Sequence, residues 1–159
     1  MNYTQQMELM NDEYFNFANN KLHWFRQREE DDNPLDCSVI DKYLLDRRGE
    51  PCCVELKIRD CDINTFNGIF IEEKKFNQMR EDFDNGIIPL YINFFKDKYH
   101  FCMWDMRRYF KGKEPEKVEC TINNYGYGSV DHVYRYKLPQ YHGHYFVYYP
   151  NSDRYVKEW

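Results

Sequence analysis

Glu55 and Lys57, in Val54-Glu55-Leu56-Lys57, set a carboxylate and an ammonium two residues apart, and Asp41 stands a short distance upstream. The runs Asp41 to Asp46 and Cys52 to Lys57 are β-prone, and Arg47-Arg48-Gly49-Glu50-Pro51 breaks them, which predicts a hairpin or two neighbouring strands. Strand alternation puts Glu55 and Lys57 on one face and Leu56 on the other. Antiparallel pairing then brings Asp41 beside them. Glu and Lys are disfavoured in strands and seldom buried without partners, so the cluster needs a reason. A divalent cation supplies one, since Mg²⁺ takes one or two carboxylates together with waters and phosphate oxygens. An E-x-K triplet on a wet edge strand would be a solvated ion pair. Here an apolar run precedes the triplet and an Asp-bearing strand lies upstream, and both features favour a metal site.

The elements that must hold these residues follow from periodicity. Residues 4–29 predict an amphipathic helix, with Thr4 as N-cap and Met7, Met10, Tyr14, Phe17, Leu22 and Phe25 as its apolar stripe. Leu35, Cys37 and Val39 could extend the first strand backwards. After Arg59, the polar connection Asp60 to Thr65 lies beside the site, where a loop can touch a substrate backbone. Gly68 to Ile71 is a short strand or helix lead-in. A second helix is expected from Glu72 to Asn85, with Phe76, Met79 and Phe83 inward and Asn85-Gly86 as its stop. Ile87 to Phe95 and Tyr99 to Trp104 read as a hairpin. Residues 107–116 are basic and suit a linker or charged loop, and 117–159 form a β-rich, Tyr-rich extension packed on the core. Its tyrosines could stack bases, although half-buried edge packing explains them as well.

Composition narrows the class. One domain's length, 19% aromatic residues, 15 Tyr and almost no Ala point to β-rich structure. A mean hydropathy of -0.92, with no apolar run long enough to span a bilayer, argues against a membrane segment. The start Met1 to Gln6 has no signal-peptide pattern, so a cytoplasmic protein is expected. Of six Cys, none forms a C-x-x-C pair, and neither zinc nor disulfides are expected. His23, His100 and the pair His142 and His144 lack the further ligands that a metal would need. A net charge of -5 is unusual for a partner of polyanions, which usually present a basic stripe. No Gly-rich phosphate loop, nucleophile elbow or H-E-x-x-H is present.

The order of these features resembles the PD-(D/E)XK nuclease superfamily, in which an Asp on one strand precedes Glu or Asp, any residue and Lys on the next. Asp41, Glu55 and Lys57 match that pattern. The words Val54 to Arg59, Gly68 to Met79 and Pro89 to Ile92 look like small phage-encoded nuclease-like proteins, over roughly residues 5–106. Ile40 stands where many members have Pro, and Pro34-Leu35-Asp36 offers Asp36 as a rival first ligand. The resemblance implies an α/β fold, a restriction-endonuclease-like mixed central sheet flanked by helices (an αβββαβ core, residues 1–106) with the β-rich extension. It implies Mg²⁺ or Mn²⁺ held by Asp41, Glu55 and the Leu56 carbonyl, with Glu13 or Glu8 from the first helix as an added ligand. Lys57 then positions water or stabilises the transition state, and Arg59, Lys74, Lys75 and Gln78 touch DNA. The expected activity is metal-dependent DNA hydrolysis in the cytoplasm, that of the host if phage-encoded, with a homodimer left open. The other reading is a non-catalytic nuclease-fold module, such as a phage protein acting on host or virion proteins.

Overall fold

The computed structural model describes residues 1–28, 39–65, 67–124 and 129–159. Helix α1 (Tyr3–Leu22) leads into strands β1 (Phe25–Gln27), β2 (Lys42–Asp46), β3 (Pro51–Arg59) and β4 (Ile69–Glu72), and α2 (Glu73–Asp84) follows. Next come β5 (Ile88–Phe95), β6 (His100–Asp105), the short α3 (Arg107–Lys111), β7 (Glu116–Asn124), β8 (Ser129–Leu138), β9 (His144–Tyr149) and β10 (Arg154–Lys157). The fold is mixed α/β. Its larger sheet has the order β1-β2-β3-β5-β6-β9-β10, with β3 and β5 parallel and the other pairs antiparallel. The smaller sheet has the order β4-β8-β7. Among the described residues, no helix is long and apolar enough to cross a membrane.

Helix α1 is shorter than its periodicity predicts. Asn2, not Thr4, caps it through a reciprocal pair with Gln5. It stops at His23, whose left-handed backbone (φ 54°) turns the chain. The Asn19 side chain then accepts from the backbone N–H groups of Trp24 and Phe25, at 3.1 and 2.9 Å, and donates to the Phe25 carbonyl. Those bonds seat Phe25 to Gln27 against Asp46 to Leu44 as β1. The buried stripe centres on Phe15 and Ala18, and Met10 is exposed.

Each face of the larger sheet carries its own core. One is built with α1 from Phe15, Leu44, Val54, Leu56, Phe94 and Phe101, among others, where each fully buried side chain of this size contributes about 1.5–3 kcal/mol. The other lies under α2 and the smaller sheet, and Tyr136 of β8 stacks on Phe76 of α2 with ring centroids 3.9 Å apart. Gly143 shows how closely β9 approaches, since a Cβ there would collide with Cys102 Sγ.

The C-terminal residues are divided between the sheets. β7 and β8 recruit β4 into the smaller sheet, while β9 and β10 extend the larger one past β6. The basic stretch expected as a loop begins instead with α3, and Arg107 is clamped to Asp105 at 2.6 Å.

Candidate functional site

The pairing of β2 with β3 decides the site. Lys42 lies opposite Val54, so Asp41, one step before the strand, reaches the Glu55–Leu56 peptide. Asp41 Oδ2 accepts from the Leu56 N–H at 2.8 Å, and the Asp41 N–H donates to Glu55 Oε2 at 3.2 Å. Two carboxylates from neighbouring strands are thus locked together through each other's backbone. Lys57, two residues on, shares the Glu55 face. Asp41 and Glu55 are in contact and Lys57 lines a cavity together with Glu55, whereas Asp36 lies outside the described residues.

Two adjoining hollows open here. Asp41 and Leu56 line a cleft of about 530 Å³ that also has Glu8, Asn11 and Asp12 of α1 on its wall. Glu55, Lys57, Arg59, Tyr91 and Arg135 line a smaller cavity of about 120 Å³. Glu72 and Lys75 border both.

Glu55 is only 2% exposed. Burial, reinforced by the neighbouring Asp41 charge, pushes its carboxyl up to about 7 even though the Lys75 ammonium bonds Glu55 Oε1 and pulls the other way. Burial works against the Lys75 ammonium too, yet Glu55, Asp41 and Glu72 hold it above the ordinary lysine value. Lys57 goes in the opposite direction. Partial desolvation, then the positive charges of Arg59 and Lys75, lower its amine. A lysine so placed gives up its proton more readily than a free one, which suits orienting water or a developing charge.

Comparison with protein-family models, curated proteins and solved structures yields no match for this chain. Chemistry here must therefore be read from the donor set. Among the described residues, no three His, Cys, Asp or Glu side chains gather closely enough to hold a metal by themselves. Asp41 and Glu55 do meet the smaller demand of Mg²⁺ or Mn²⁺, one or two carboxylates with waters completing the shell. One Asp41 oxygen has no donor among the described residues, whereas Glu55 Oε1 is occupied by Lys75. The pair fits a hard cation once Lys75 moves aside.

The other expected residues divide. Glu13 is exposed, faces Lys98 at 3.9 Å and does not line the cleft. Asp12 follows Glu8 by about one helical turn and shares its side of α1, whereas the next residue, Glu13, is carried round toward another side. Glu8 and Asp12, not Glu13, therefore line the cleft. Asp12 is paired with Lys42 at 2.7 Å. Lys74 is exposed on the cleft wall without a side-chain partner among the described residues. Gln78 turns inward and donates to the buried Asp82 at 3.0 Å, alongside the Tyr43 hydroxyl at 2.8 Å. Its amide is thereby committed to Asp82 and does not line either hollow.

Arg59 is likewise committed, to Asn93 Oδ1 at 2.9 Å and the Phe70 carbonyl at 3.1 Å, so it braces the cavity floor. Local pattern missed Glu72 and Arg135. They stand directly opposite each other across β4 and β8, a pairing that no short window of sequence can signal.

Proposed function

We propose that the protein is a Mg²⁺- or Mn²⁺-dependent nuclease that hydrolyses phosphodiester bonds in DNA, on a restriction-endonuclease-like core that includes α1, β2, β3, α2 and β5, whereas β4, the expected third strand, pairs with β8 in the smaller sheet. The observation carrying this reading is the interlock of Asp41 with Glu55 and Leu56, with Lys57 lining a cavity that Glu55 shares. Asp41 and Glu55, with the Leu56 carbonyl, are the residues to hold the cation. When bound, that ion supplies positive charge at the scissile phosphate and acidifies attacking water. The chain's own part is to orient. Lys57 holds the water or the charge that builds on the phosphoryl oxygens, from a position fixed by β3. Lys74 contacts the flanking backbone, and Lys75 swings from Glu55 toward phosphate.

The deciding assay is cleavage of single-stranded, double-stranded and branched DNA with Mg²⁺ or Mn²⁺. Glu55→Ala and Lys57→Ala should each lower the rate by about 10²–10³-fold, the usual loss for one preorganised transition-state contact. Equal rates for the variants and wild type would remove the chemistry from this site.

Two observations favour a second reading, a non-catalytic nuclease-fold module that binds a partner. Lys75 already supplies Glu55 with a cation, and the chain's net charge of -5 suits a protein partner better than a polyanion. Metal binding by calorimetry separates the two, because the module needs no ion at Asp41 and Glu55.

A further inference from the structure

The cations around the candidate site fall into two groups. Lys75 is bound to Glu55, Arg59 to Asn93 and the Phe70 carbonyl, Lys42 to Asp12 and Lys117 to Glu73. Lys57, Lys74 and Arg135 have no side-chain hydrogen bond or ion pair with any described residue. Arg135 is the most telling of the three. It is half-buried, it lines the same small cavity as Glu55 and Lys57, and although β-pairing sets it opposite Glu72, no ion pair forms. An incoming anion would satisfy the fork of donors that Arg135 otherwise leaves to solvent.

Arg135 also borders a third hollow of about 420 Å³, shared with Glu72, Lys74, His132 and Tyr134. Tyr134 is 43% exposed, and the Lys117 ammonium lies over its ring, 4.8 Å from the centroid. From the small cavity, the unpaired cations therefore lead toward a partly exposed tyrosine that already carries one cation over its ring. Glu72 and Glu73 stand along the same path.

We infer that β8 of the smaller sheet completes the site as a single-strand track, in which Arg135 grips a backbone phosphate beside Lys57 and Tyr134 stacks an unpaired base of the same strand. The inference rests on the nuclease reading of Asp41, Glu55 and Lys57 and specifies the substrate form. A duplex keeps its bases in their own stack and presents two rows of phosphates, whereas stacking on Tyr134 needs a free base.

The test is fluorescence anisotropy of labelled oligothymidine and of a duplex of equal length, in EDTA. Wild type should bind the single strand more tightly. Arg135→Gln should weaken it about tenfold and reduce the slope of log affinity against log salt by about 0.7, the share of one phosphate contact on a single strand. Tyr134→Ala should weaken binding about tenfold, with Tyr134→Phe near wild type, because the ring rather than the hydroxyl does the stacking. The remote Arg154→Gln should change nothing.

Lys74→Gln, at an exposed helix position, probes the same track should Arg135→Gln fail to fold. It should weaken the single strand and shift its salt slope in the same way. Duplex preference, no binding to either nucleic acid, or a wild-type salt slope in folded Arg135→Gln or in Lys74→Gln would overturn the track. No turnover is read, so binding that needs Arg135 stands even if no metal supports cleavage. Cleavage that needs Glu55 stands even if Arg135→Gln binds normally.

Discussion

The two faces of β3 are built to opposite specifications. Toward α1, Cys52, Val54 and Leu56 are buried one after another in an apolar layer with Phe15, Leu90, Ile92 and Phe94. Toward α2, the strand begins with the equally buried Cys53, then sinks the charge of Glu55, and ends with Lys57 and Arg59 at the wall of a cavity. One face is core along its length, while the other changes from core to chemistry within a few residues. A strand held firmly from behind can keep a carboxylate in a place that its desolvation alone would not favour.

If the apolar face is what anchors the strand, deleting side chain there should have the largest effect. Leu56→Ala should cost about 2–5 kcal/mol, read as a lower urea midpoint with little change in slope. A loss under about 1 kcal/mol, the range of a volume-conserving swap, would mean that α1 packs loosely and that the strand is fixed from the charged side.

Glu55→Gln examines the other face, with a sign that depends on pH. Because burial raises the Glu55 carboxyl from 4.5 to about 7, the folded protein binds more protons than the unfolded chain between those values, and stability falls as pH rises through them. In metal-free buffer, Glu55→Gln should therefore gain about 3 kcal/mol at pH 8 and almost nothing at pH 4, since one pKa unit corresponds to about 1.36 kcal/mol. A wild-type stability profile flat from pH 4 to 8, measured by urea titration, would show that Lys75 offsets the burial completely.

The same contrast explains how much could be read from sequence. Local alternation was enough for Glu55, Lys57 and the neighbourhood of Asp41, because β2 and β3 are close in the chain and their register follows from a short turn. The second helix and the hairpin of β5 and β6 were legible for the same reason, and the β-rich character of residues 117–159 was legible from composition. What failed involved direction or distance. The apolar stripe of α1 runs on into Phe25, and only the His23 turn and the Asn19 bonds end the helix. Glu13 and Glu8 cannot be ranked without knowing which side of α1 faces the cleft. Arg135 lies far beyond Glu55 in the chain and arrives only because β8 pairs with β4. Gln78 and Asp82, a turn apart on α2, form an inward pair that resembles a surface one in sequence.

That inward pair gives the next test. Asp82 is fully buried and takes hydrogen bonds from Tyr43 and Gln78, tying α2 to β2 beneath the site. Tyr43→Phe should cost about 1–3 kcal/mol, the penalty for depriving a buried acceptor of a donor, while leaving DNA binding in EDTA unchanged. Loss of binding at unchanged stability would instead make Tyr43 a ligand contact.

The smallest effect is expected at the rim of the larger cleft, where Asp12 of α1 meets Lys42 of β2 at 2.7 Å with the Asp12 side chain 55% exposed. Water and salt screen such a pair, so Asp12→Asn should lower stability by less than about 1 kcal/mol, and the difference should vanish in high salt. The Lys42 ammonium lies 5.3 Å from the centroid of the Phe15 ring and would keep that contact after the acid is gone. A loss of several kcal/mol would mean that charge, rather than the packing of Phe15 and Ala18, holds α1 over β3. The contrast between the strand's two faces would then be wrong at its first step, because the apolar side would no longer be the anchor on which a buried Glu55 depends.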